Sequence, residues 1–437
     1  MYSSKDTIWT EAQAERQLRS LELFGMRFGL DRMRRMMTVL GSPERRFDAV
    51  HVLGTNGKSS TTRMTAAILQ QHGLRTGAYL SPHLVSYRER VLIDGRELDS
   101  EAFAAAIARA SWAAERVNRT LAEDDHVTQF ELLTAAALWE MARQELDVAV
   151  VEAGLGGRYD ATSVIQAPVA VLTNVGLEHT RWLGPTIRDI AEEKLAAVQP
   201  QAVLALGDEL AAPALAVAER VAREREARIV RPLNALVLPK LLARGAFQRR
   251  NFALARCAAD AYLRHAGIPL SEAAVERAAA TTDIPGRLQL VAQDPPTVFD
   301  GAHNPDAVAA LVRSLPDVLT PAPLALVLGV LEDKDAASML AALLPVSARA
   351  WFTAPPSGRA LSPAALQSLA RQLGFDAGVS EPKPARALEQ AQSWAREHAG
   401  SVLATGSVYL VGDLLGGLAG SADPRQLLDA GSESSVR

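Results

Sequence analysis

The chain has 437 residues, of which 48% are hydrophobic and 22% are charged, and its formal net charge at pH 7 is −4. This length allows two domains with sizeable cores, and the slightly acidic balance gives no electrostatic reason to expect a nucleic-acid partner. Residues 1–13 lack the basic and apolar regions of a secretory signal, and no apolar run reaches membrane length without charges, so we expect a cytoplasmic protein without a membrane partner. The single cysteine, Cys257, excludes an intrachain disulfide and a metal site of several cysteines.

A glycine-rich turn follows the first strand that the sequence predicts. The segment that ends at Leu53 reads as a buried strand, and Ser60–Gln71 reads as a helix. The turn between them contains Gly54, Thr55, Asn56, Gly57 and Lys58. Glycines at this place let backbone N–H groups approach an anion, and the helix N-terminus and Lys58 add positive charge, so the turn predicts a loop for a nucleoside triphosphate. The spacing differs from the common P-loop, and a plain glycine-rich turn is the alternative.

Short apolar strands alternate with amphipathic helices along the chain, which predicts an α/β fold with mostly parallel sheets. A first block of predicted strands contains Val50–Leu53, Thr76–Leu80, Asp147–Val151, Val169–Thr173 and Ala202–Leu206. A second block contains Thr297–Phe299, Leu324–Leu328, Ala350–Thr353 and Val402–Ala404. Residues that break helices and strands concentrate between the blocks, so we predict two domains, 1–287 and 288–437. The tail from Ala422 is polar and is expected to fray.

Polar residues follow three strands of the first block. Ser81 comes after the second predicted strand, Glu152 after the third and His179 after the fourth. Open α/β sheets bind ligands at the carboxyl ends of their strands, so we expect these side chains to converge on the phosphate loop. Mg²⁺ prefers oxygen ligands, which makes Ser81 and Glu152 candidate ligands and His179 a less usual one. Taken singly, Ser81 reads as a turn residue before Pro82, and His179 as a hydrogen-bonded structural histidine.

Lys194 interrupts an apolar stripe of a predicted helix. In the helix predicted over Ile187–Val198, Lys194 falls on the same face as the apolar residues, so its amine should point inward. A buried ammonium must find a partner, lose its proton or be modified. A pair with a nearby glutamate, or a side chain that extends back to solvent, is the ordinary alternative.

The complete pattern resembles the folylpolyglutamate synthase and dihydrofolate synthase family of Mur-type ATP-dependent amide ligases, over about Leu21 to Asp413. The segments that carry the resemblance are Gly54–Lys58, Ser81–Leu84, Thr128–Glu131, Glu152–Thr162, Leu177–Thr180, Leu183–Gly184, Glu193–Lys194, Pro285–Arg287, Asp300–Pro305 and Thr405–Ser407. The resemblance implies an N-terminal P-loop-type domain that binds ATP and a smaller, Rossmann-like C-terminal domain that binds glutamate. One departure from the family pattern is Ser59, which stands where the family has glycine.

The resemblance also implies roles for nucleotide and metal residues. The positions that match ATP contacts are Thr55, Asn56, Gly57, Lys58, Asn251, Arg287 and Asp300. Ser81 and Glu152 match the ligands of one Mg²⁺, and His179 matches a ligand of a second. Lys194 matches a lysine that the family carbamylates, which would turn a buried amine into an anionic oxygen ligand. Lys58, Lys194 and His303 are the expected catalytic residues. The ATP-contact positions also have ordinary interpretations: Asn251 as a polar helix residue, Arg287 as a charge in a linker and Asp300 as a carboxylate in a turn.

Two segments match the dihydropteroate pocket of bacterial family members, and two residues match the glutamate site. The pocket positions are Thr128, Gln129, Phe130, Glu131, Tyr159, Asp160 and Ala161, and the glutamate positions are His303 and Ser407. We expect the ring of Phe130 or Tyr159 to lie against the pterin, and the carboxylates of Glu131 and Asp160 to accept its N–H groups. A place in the apolar stripe of a helix is the alternative for Phe130.

These implications predict a monomeric ligase that uses ATP and Mg²⁺ to join L-glutamate to a pteroate or folate carboxylate through an acyl phosphate. Dihydrofolate synthesis and the glutamylation of reduced folates are both expected. One alternative is a cell-wall ligase of the same type that acts on a nucleotide-linked muramyl acid. The other is a P-loop ATPase whose hydrolysis drives a conformational switch.

Overall fold

Two separate β-sheets organise the chain in the computed structural model, which describes residues 9–21, 29–232, 238–319 and 322–421. The strands are β1 (Asp48–Leu53), β2 (Thr76–Tyr79), β3 (Val91–Ile93), β4 (Arg96–Glu97), β5 (Val148–Glu152), β6 (Val169–Leu172), β7 (Val203–Leu206), β8 (Arg228–Val230), β9 (Gln289–Gln293), β10 (Pro296–Phe299), β11 (Leu324–Leu328), β12 (Arg349–Phe352), β13 (Gly378–Ser380) and β14 (Ser401–Thr405).

The α-helices of the described residues alternate with these strands over most of the chain. They are α1 (Glu11–Ser20), α2 (Asp31–Leu40), α3 (Lys58–Gln71), α4 (Ser100–Asn118), α5 (Gln129–Arg143), α6 (Thr180–Leu183), α7 (Ile187–Leu195), α8 (Ala212–Glu224), α9 (Ala246–His265), α10 (Glu272–Thr281), α11 (Pro305–Ser314), α12 (Ala336–Leu343), α13 (Pro363–Gln372), α14 (Pro384–Glu397) and α15 (Val408–Ser421). The N-terminal residues 1–8 and the tail from Ala422, for which the sequence suggested a polar start and a frayed end, lie outside the described residues.

The described chain divides into two compact units. The first comprises the described parts of Met1–Pro82, Tyr87–Leu242 and Gln248–Asp283, and the second comprises those of His83–Ser86, Ala243–Phe247 and Ile284–Arg437. The sequence placed a boundary between residues 287 and 288 and did not foresee that two short earlier segments belong to the second unit.

The first unit contains a sheet with the strand order β4-β3-β2-β5-β1-β6-β7-β8. Strand β1 lies in the middle and pairs in parallel with both β5 and β6. The register sets Val52 beside Glu152 and Leu53 beside Leu172, so these three strands end at one edge of the sheet. Strands buried on both faces read as continuous apolar runs, which is why the sequence revealed them. The segments that follow β1, β5 and β6 therefore meet at one place.

The second unit contains a sheet with the order β13-β12-β11-β14-β10-β9. Strands β10 to β14 pair in parallel, and β9 joins β10 as an antiparallel edge strand. Asp300 follows β10, and Ser407 follows the neighbouring strand β14. The described residues thus confirm an α/β fold with two largely parallel sheets.

Every strand that the sequence predicted is present, with ends that differ by at most two residues. The strands that the sequence did not predict are β3, β4, β8 and β13, of two or three residues each, and β9, and they include the edge strands of both sheets. Short edge strands are half exposed and carry no continuous apolar run, so their pattern is weak. The predicted helix over Ile187–Val198 ends three residues earlier, at Leu195. It could not have continued far, because Pro200 disfavours helical backbone at Gln199. No helix in the described ranges is both long and apolar enough to span a bilayer.

A buried ion-pair cluster joins three segments of the first unit. Arg32 of α2 is 6% exposed, and its Nε lies 3.0 Å from Oε1 of Glu131, which belongs to α5. Its Nη1 lies 3.0 Å from Oδ1 of Asp125, in the segment before α5. Both bonds to Arg32 cross more than ninety positions of sequence. We call Arg32, Asp125 and Glu131 the Arg32 cluster.

Removal of the arginine from this cluster should destabilise the first unit. Arg32→Met leaves the carboxylate of Glu131 buried without its cation, and we expect a loss of about 3–5 kcal/mol in the free energy of unfolding. Arg35→Ala is the matched control on the same helix, because it breaks an exposed pair with Asp31 (2.8 Å) and should cost only about 0–1 kcal/mol. Urea unfolding followed by circular dichroism measures both values. Equal losses for the two variants would contradict a structural role of the cluster.

Candidate functional site

The loop between β1 and α3 has the geometry of an anion site. Gly54 has a φ of 145°, and Gly57 has a φ of 82° directly before the first residue of α3. The first backbone N–H groups of an α-helix have no intrahelical partner, and at this helix no side chain caps them. A 14-residue helix therefore presents its positive end at the loop.

Neighbouring residues leave no room for side chains at the two glycines. A Cβ at Gly54 would lie 1.8 Å from Oγ1 of Thr173, and a Cβ at Gly57 would lie 2.6 Å from Oδ1 of Asn251. Asn251, which the sequence assigned to ATP contact, is thus in place beside the loop. Its Nδ2 donates to Oε1 of Gln248 at 3.0 Å, which orients the amide.

The residues that follow β6 hold the backbone of the loop. The backbone oxygen of Asn174 accepts from Thr55 N at 3.0 Å, and its Oδ1 accepts from Asn56 N at 2.8 Å. Thr173 Oγ1 donates to the backbone oxygen of Asn56 at 2.7 Å. Thr173 and Asn174 were not among the site residues predicted from the sequence. Two polar residues directly after a buried parallel strand were the signal for them.

Two lysines donate to carbonyl groups of the same loop. Lys58 Nζ lies 3.1 Å from the backbone oxygen of Thr55, and Lys194 Nζ lies 2.8 Å from that of Gly54. Lys194 is 5% exposed, so the prediction of an inward amine is confirmed. In the described part of the chain Lys194 forms no ion pair, which differs from the alternative of a pair with a nearby glutamate. Burial, helped by the charge of Lys58, lowers the pKa of Lys194 to about 7, so a large share of this amine is neutral near neutral pH.

Oxygen-bearing groups cluster around the end of β5. Glu152 is 1% exposed, and its carboxylate accepts from Ser59 Oγ at 2.9 Å and from Ser81 N at 3.1 Å. The structure thus brings Ser81 and Glu152 together and adds Ser59, the departure from the family pattern. A set of oxygen donors fits Mg²⁺. Among the described residues, no group of three or more His, Cys, Asp or Glu side chains is arranged around one metal position.

His179 stands at the start of α6 and has a positive φ of 54°. Its side chain is 37% exposed, and Nε2 lies 4.0 Å from Oε1 of Glu178. Glu178 also favours the charged form of Lys194, which shows that the segment after β6 approaches α7. The assignment of His179 to a second metal site stays a prediction.

The segment Thr128–Glu131 opens α5, and two of its polar groups have structural partners. Thr128 and Glu131 form a capping box, in which the Glu131 carboxylate accepts from Thr128 N at 2.8 Å and from Thr128 Oγ1 at 2.9 Å. The same carboxylate binds Arg32 in the Arg32 cluster. Protein donors thus bind both oxygens of Glu131, and the expectation that it accepts hydrogen bonds from a pterin stays a prediction. Gln129 Nε2 donates to Leu18 O and to Tyr87 Oη, at 3.0 and 3.1 Å.

Phe130 is half-buried rather than a full member of the core. Its ring lies against Gly154, where a Cβ would come within 2.5 Å of Phe130 Cζ. The ring centroid lies 6.1 Å from that of Tyr79. A half-buried aromatic residue that packs against the loop after β5 suits a wall for a flat ligand.

Asp160 also has partners within the protein. It is 6% exposed, and its carboxylate accepts from Leu155 N at 2.7 Å and from Thr162 N at 2.9 Å. Burial raises its pKa, and these hydrogen bonds oppose the rise. The carboxylate thus holds its own loop, and its expected bond to a pterin stays a prediction. Tyr159 is 49% exposed, and Ala161 is buried in the short 3₁₀ turn Ala161–Val164.

The second unit carries the remaining candidates. Asp300 is 2% exposed and accepts from Leu288 N and Ala302 N, at 2.9 and 2.8 Å. Burial raises the pKa of Asp300, while the charge of Arg287 lowers it, so the two residues interact. His303 Nδ1 donates to Gly301 O at 2.9 Å, which leaves Nε2 as the acceptor in the neutral ring. Ser407 is buried, and its Oγ accepts from Tyr409 N at 3.1 Å, within the start of α15.

Two protein-family models match the chain in regions that contain most of these residues. The Mur ligase middle domain matches residues 52–212, and the Mur ligase glutamate ligase domain matches residues 286–408. The first region contains the phosphate loop, Glu152, His179 and Lys194, and the second contains Arg287, Asp300, His303 and Ser407.

Curated relatives and solved structures resemble the chain over most of its length. The dihydrofolate synthase/folylpolyglutamate synthase of Escherichia coli (strain K12) is 34% identical over 385 residues, which cover 83% of this chain and 85% of the relative. A probable bifunctional folylpolyglutamate synthase/dihydropteroate synthase of Haloferax volcanii is 34% identical, but the match spans only 49% of its length. Mycobacterium tuberculosis folylpolyglutamate synthase complexed with ADP and AMPPCP superposes with a TM-score of 0.87 at 31% identity, covering 95% of this chain and 100% of that chain. E. coli FolC in complex with DHPP and ADP has a TM-score of 0.82 at 29% identity and covers 94% and 98%.

The geometry of the phosphate loop makes Gly57 intolerant of any side chain. Gly57→Ala combines an unfavourable φ with a clash against Asn251, and we expect the Kd for ATP to rise at least about tenfold. Gly73→Ala is the matched control, because Gly73 has a φ of 87° and open space around it. It should lower stability by a similar backbone penalty of about 1–2 kcal/mol and leave the Kd unchanged. Isothermal titration calorimetry measures both, and an unchanged Kd for Gly57→Ala would remove this loop from the nucleotide site.

Proposed function

The chain belongs to the folylpolyglutamate synthase and dihydrofolate synthase family of Mur-type ligases, and we propose that it joins L-glutamate both to dihydropteroate and to the glutamyl tail of reduced folates, with cleavage of ATP to ADP and phosphate. It is an ATP-dependent acid–amino-acid ligase. The use of both acceptors by one enzyme is the finer part of the proposal. We also propose that it works as a cytoplasmic monomer on small-molecule substrates.

One observation carries the proposal: the phosphate loop and the acceptor segment border the same stretch of chain. The loop Gly154–Tyr159, which we call the glycine loop, follows Glu152 and lies against Phe130 at Gly154. At Gly157 it lies against the backbone of Lys194, whose amine donates to the phosphate loop. A ligand beside Phe130 and a triphosphate at α3 would therefore be neighbours at one edge of the first sheet. The relative solved in complex with both DHPP and ADP supports the binding of two such ligands by one protein.

The chemistry follows from these neighbours. An acceptor carboxylate attacks the γ-phosphorus of ATP, giving an acyl phosphate and ADP. The amine of glutamate then attacks the acyl carbon and expels phosphate, and its proton leaves to solvent or a base. Lys58 and the backbone N–H groups at the start of α3 stabilise the charge on the transferring phosphoryl group. Fixed donors act strongly here because they need no rearrangement as the charge develops.

The oxygen donors at the end of β5 fit a magnesium ion. Ser81 and Glu152 would hold it, with Ser59 beside them. When bound, Mg²⁺ neutralises phosphate charge. A second ion held by His179 and a carbamylated Lys194 is a further part of the proposal. Burial supports the carbamate, because CO₂ adds only to a neutral amine and the pKa of Lys194 is lowered to about 7.

The acceptor pocket is proposed with revised roles. Phe130 and Tyr159 supply aromatic surface, while Thr128, Gln129, Glu131, Asp160 and Ala161 shape the wall through bonds within the protein. In the second unit, Arg287 and Asp300 are proposed for ATP, and His303 and Ser407 for glutamate. Because the Ser407 hydroxyl bonds to its own helix, His303 is the stronger of the two glutamate candidates.

The function is tested by the release of ADP with and without each substrate. We expect ADP release to require both glutamate and an acceptor, dihydropteroate or tetrahydrofolate. Lys58→Ala should lower the rate by about 10²–10³-fold, since it deletes a main charge-stabilising group. Lys240→Ala, which removes an exposed lysine elsewhere in the first unit, is the control and should keep full activity. A muramyl acceptor that replaces dihydropteroate would indicate a cell-wall ligase, and ADP release that ignores all acceptors would indicate an ATPase switch.

A carbamate at Lys194 is tested by chemical rescue. Lys194→Ala should be nearly inactive, because it removes both the proposed metal ligand and the bond to the phosphate loop. Acetate or propionate in the vacated space supplies a carboxylate in place of the carbamate and should restore part of the activity. Methylamine or ethylamine, the matched control, supplies an amine and should restore none. Rescue by the amine alone would show that Lys194 acts unmodified.

A further inference from the structure

His51 is a buried polar residue in the strand that leads into the phosphate loop. It is 2% exposed, and its neighbours in β1, Val50 and Val52, are fully buried apolar residues. Burial of an imidazole costs free energy unless its ring nitrogens find partners, so packing alone would favour an apolar side chain here. Its Nε2 lies 2.8 Å from Oγ1 of Thr162, a residue 111 positions away that belongs to the turn after the glycine loop.

The direction of these hydrogen bonds follows from a count of protons. Thr162 Oγ1 is also hydrogen-bonded to Oδ1 of Asp160. The hydroxyl has one proton and an ionised carboxylate only accepts, so Thr162 donates to Asp160 and accepts from the Nε2–H of His51. Burial lowers the pKa of His51 to about 4, which keeps the ring neutral with that one proton available. We call His51, Thr162 and Asp160 the His51 relay.

The far end of the relay holds the glycine loop. Asp160 accepts from the backbone N–H of Leu155, so the loop is closed onto the residue that directly follows it. The closed loop contacts Phe130 on one side and the backbone of Lys194 on the other. A shift of Asp160 would therefore displace the wall that borders the proposed acceptor, while the phosphate loop keeps its own bonds to Thr173 and Asn174.

We propose that His51 is a positioning residue for the acceptor, which fixes the glycine loop relative to the strand that carries the phosphate loop. The proposal rests on the proposed function, since it assigns the acceptor to the wall formed by Phe130 and this loop. His51 acts through Thr162 and Asp160. Its loss should therefore affect the acceptor much more than the nucleotide.

The first test compares two variants of His51 with a packing control. His51→Leu removes the donor, and we expect the KM for dihydropteroate to rise about tenfold, because the buried Thr162 hydroxyl loses its partner and no longer holds Asp160 in place. The Kd for ADP should change less than about threefold, since the phosphate loop keeps its contacts. His51→Gln places an amide N–H near the position of Nε2 and should restore most of the acceptor KM. Val50→Ala loses core packing in the same strand and should lower thermal stability with no change in KM.

The second test does not depend on activity. Hydrogen exchange followed by mass spectrometry should show faster exchange in residues 154–164 of His51→Leu, with β5 and β6 unchanged. Thr162→Val, with Thr162→Ser as its hydroxyl-bearing control, repeats the test from the middle of the relay if His51→Leu does not fold. Unchanged exchange in 154–164, or equal losses of acceptor and nucleotide affinity, would overturn the proposal. A wild-type protein that uses no pterin acceptor would refute the proposed function, and the exchange data would still decide whether the relay holds the loop.

Discussion

The site depends on how closely other residues approach the backbone of the phosphate loop. Gly54 and Gly57 meet Thr173 and Asn251 at distances that no Cβ could accept, and both have a positive φ. Thr173 approaches the loop because β1 pairs with β6 and the residues after both strands lie at one edge, whereas Asn251 comes from α9. The loop is thus surrounded by polar groups before any ligand arrives. Such preorganisation is what makes fixed donors effective on a phosphoryl group.

Buried carboxylates have a structural role in the first unit. Glu131 and Asp160 look like ligand-binding residues in the sequence, but in the structure each is satisfied by protein donors. In a low-dielectric interior an unpartnered carboxylate is costly, so these groups bind Arg32, Thr128, Leu155 and Thr162 instead. In the proposed function their effect on an acceptor is indirect, through the positions of Phe130 and the glycine loop.

The sequence was most informative where structure is local. Buried parallel strands appear as apolar runs, so the fold was predictable. The phosphate loop was predictable because glycines and a lysine lie between a strand and a helix. Contacts between residues distant in sequence were not predictable. The clearest cases are the pairs Arg32–Glu131 and His51–Thr162. The spacing of Thr128 and Glu131 is that of a capping box, and this local signal could have revealed the structural role of Glu131. Nothing in the pattern of β3, β4 or β13 distinguishes these short strands from loops.

The central claim is that the acceptor carboxylate, and not water, attacks the γ-phosphate. The most direct measurement uses dihydropteroate labelled with ¹⁸O in its carboxylate, together with ATP, Mg²⁺ and glutamate. Mass spectrometry of the released phosphate should show one ¹⁸O atom for each amide bond formed, because the oxygen that attacks phosphorus leaves with it. Phosphate without the label, released at the rate at which ADP forms, would contradict the acyl-phosphate route and with it the assignment of this site.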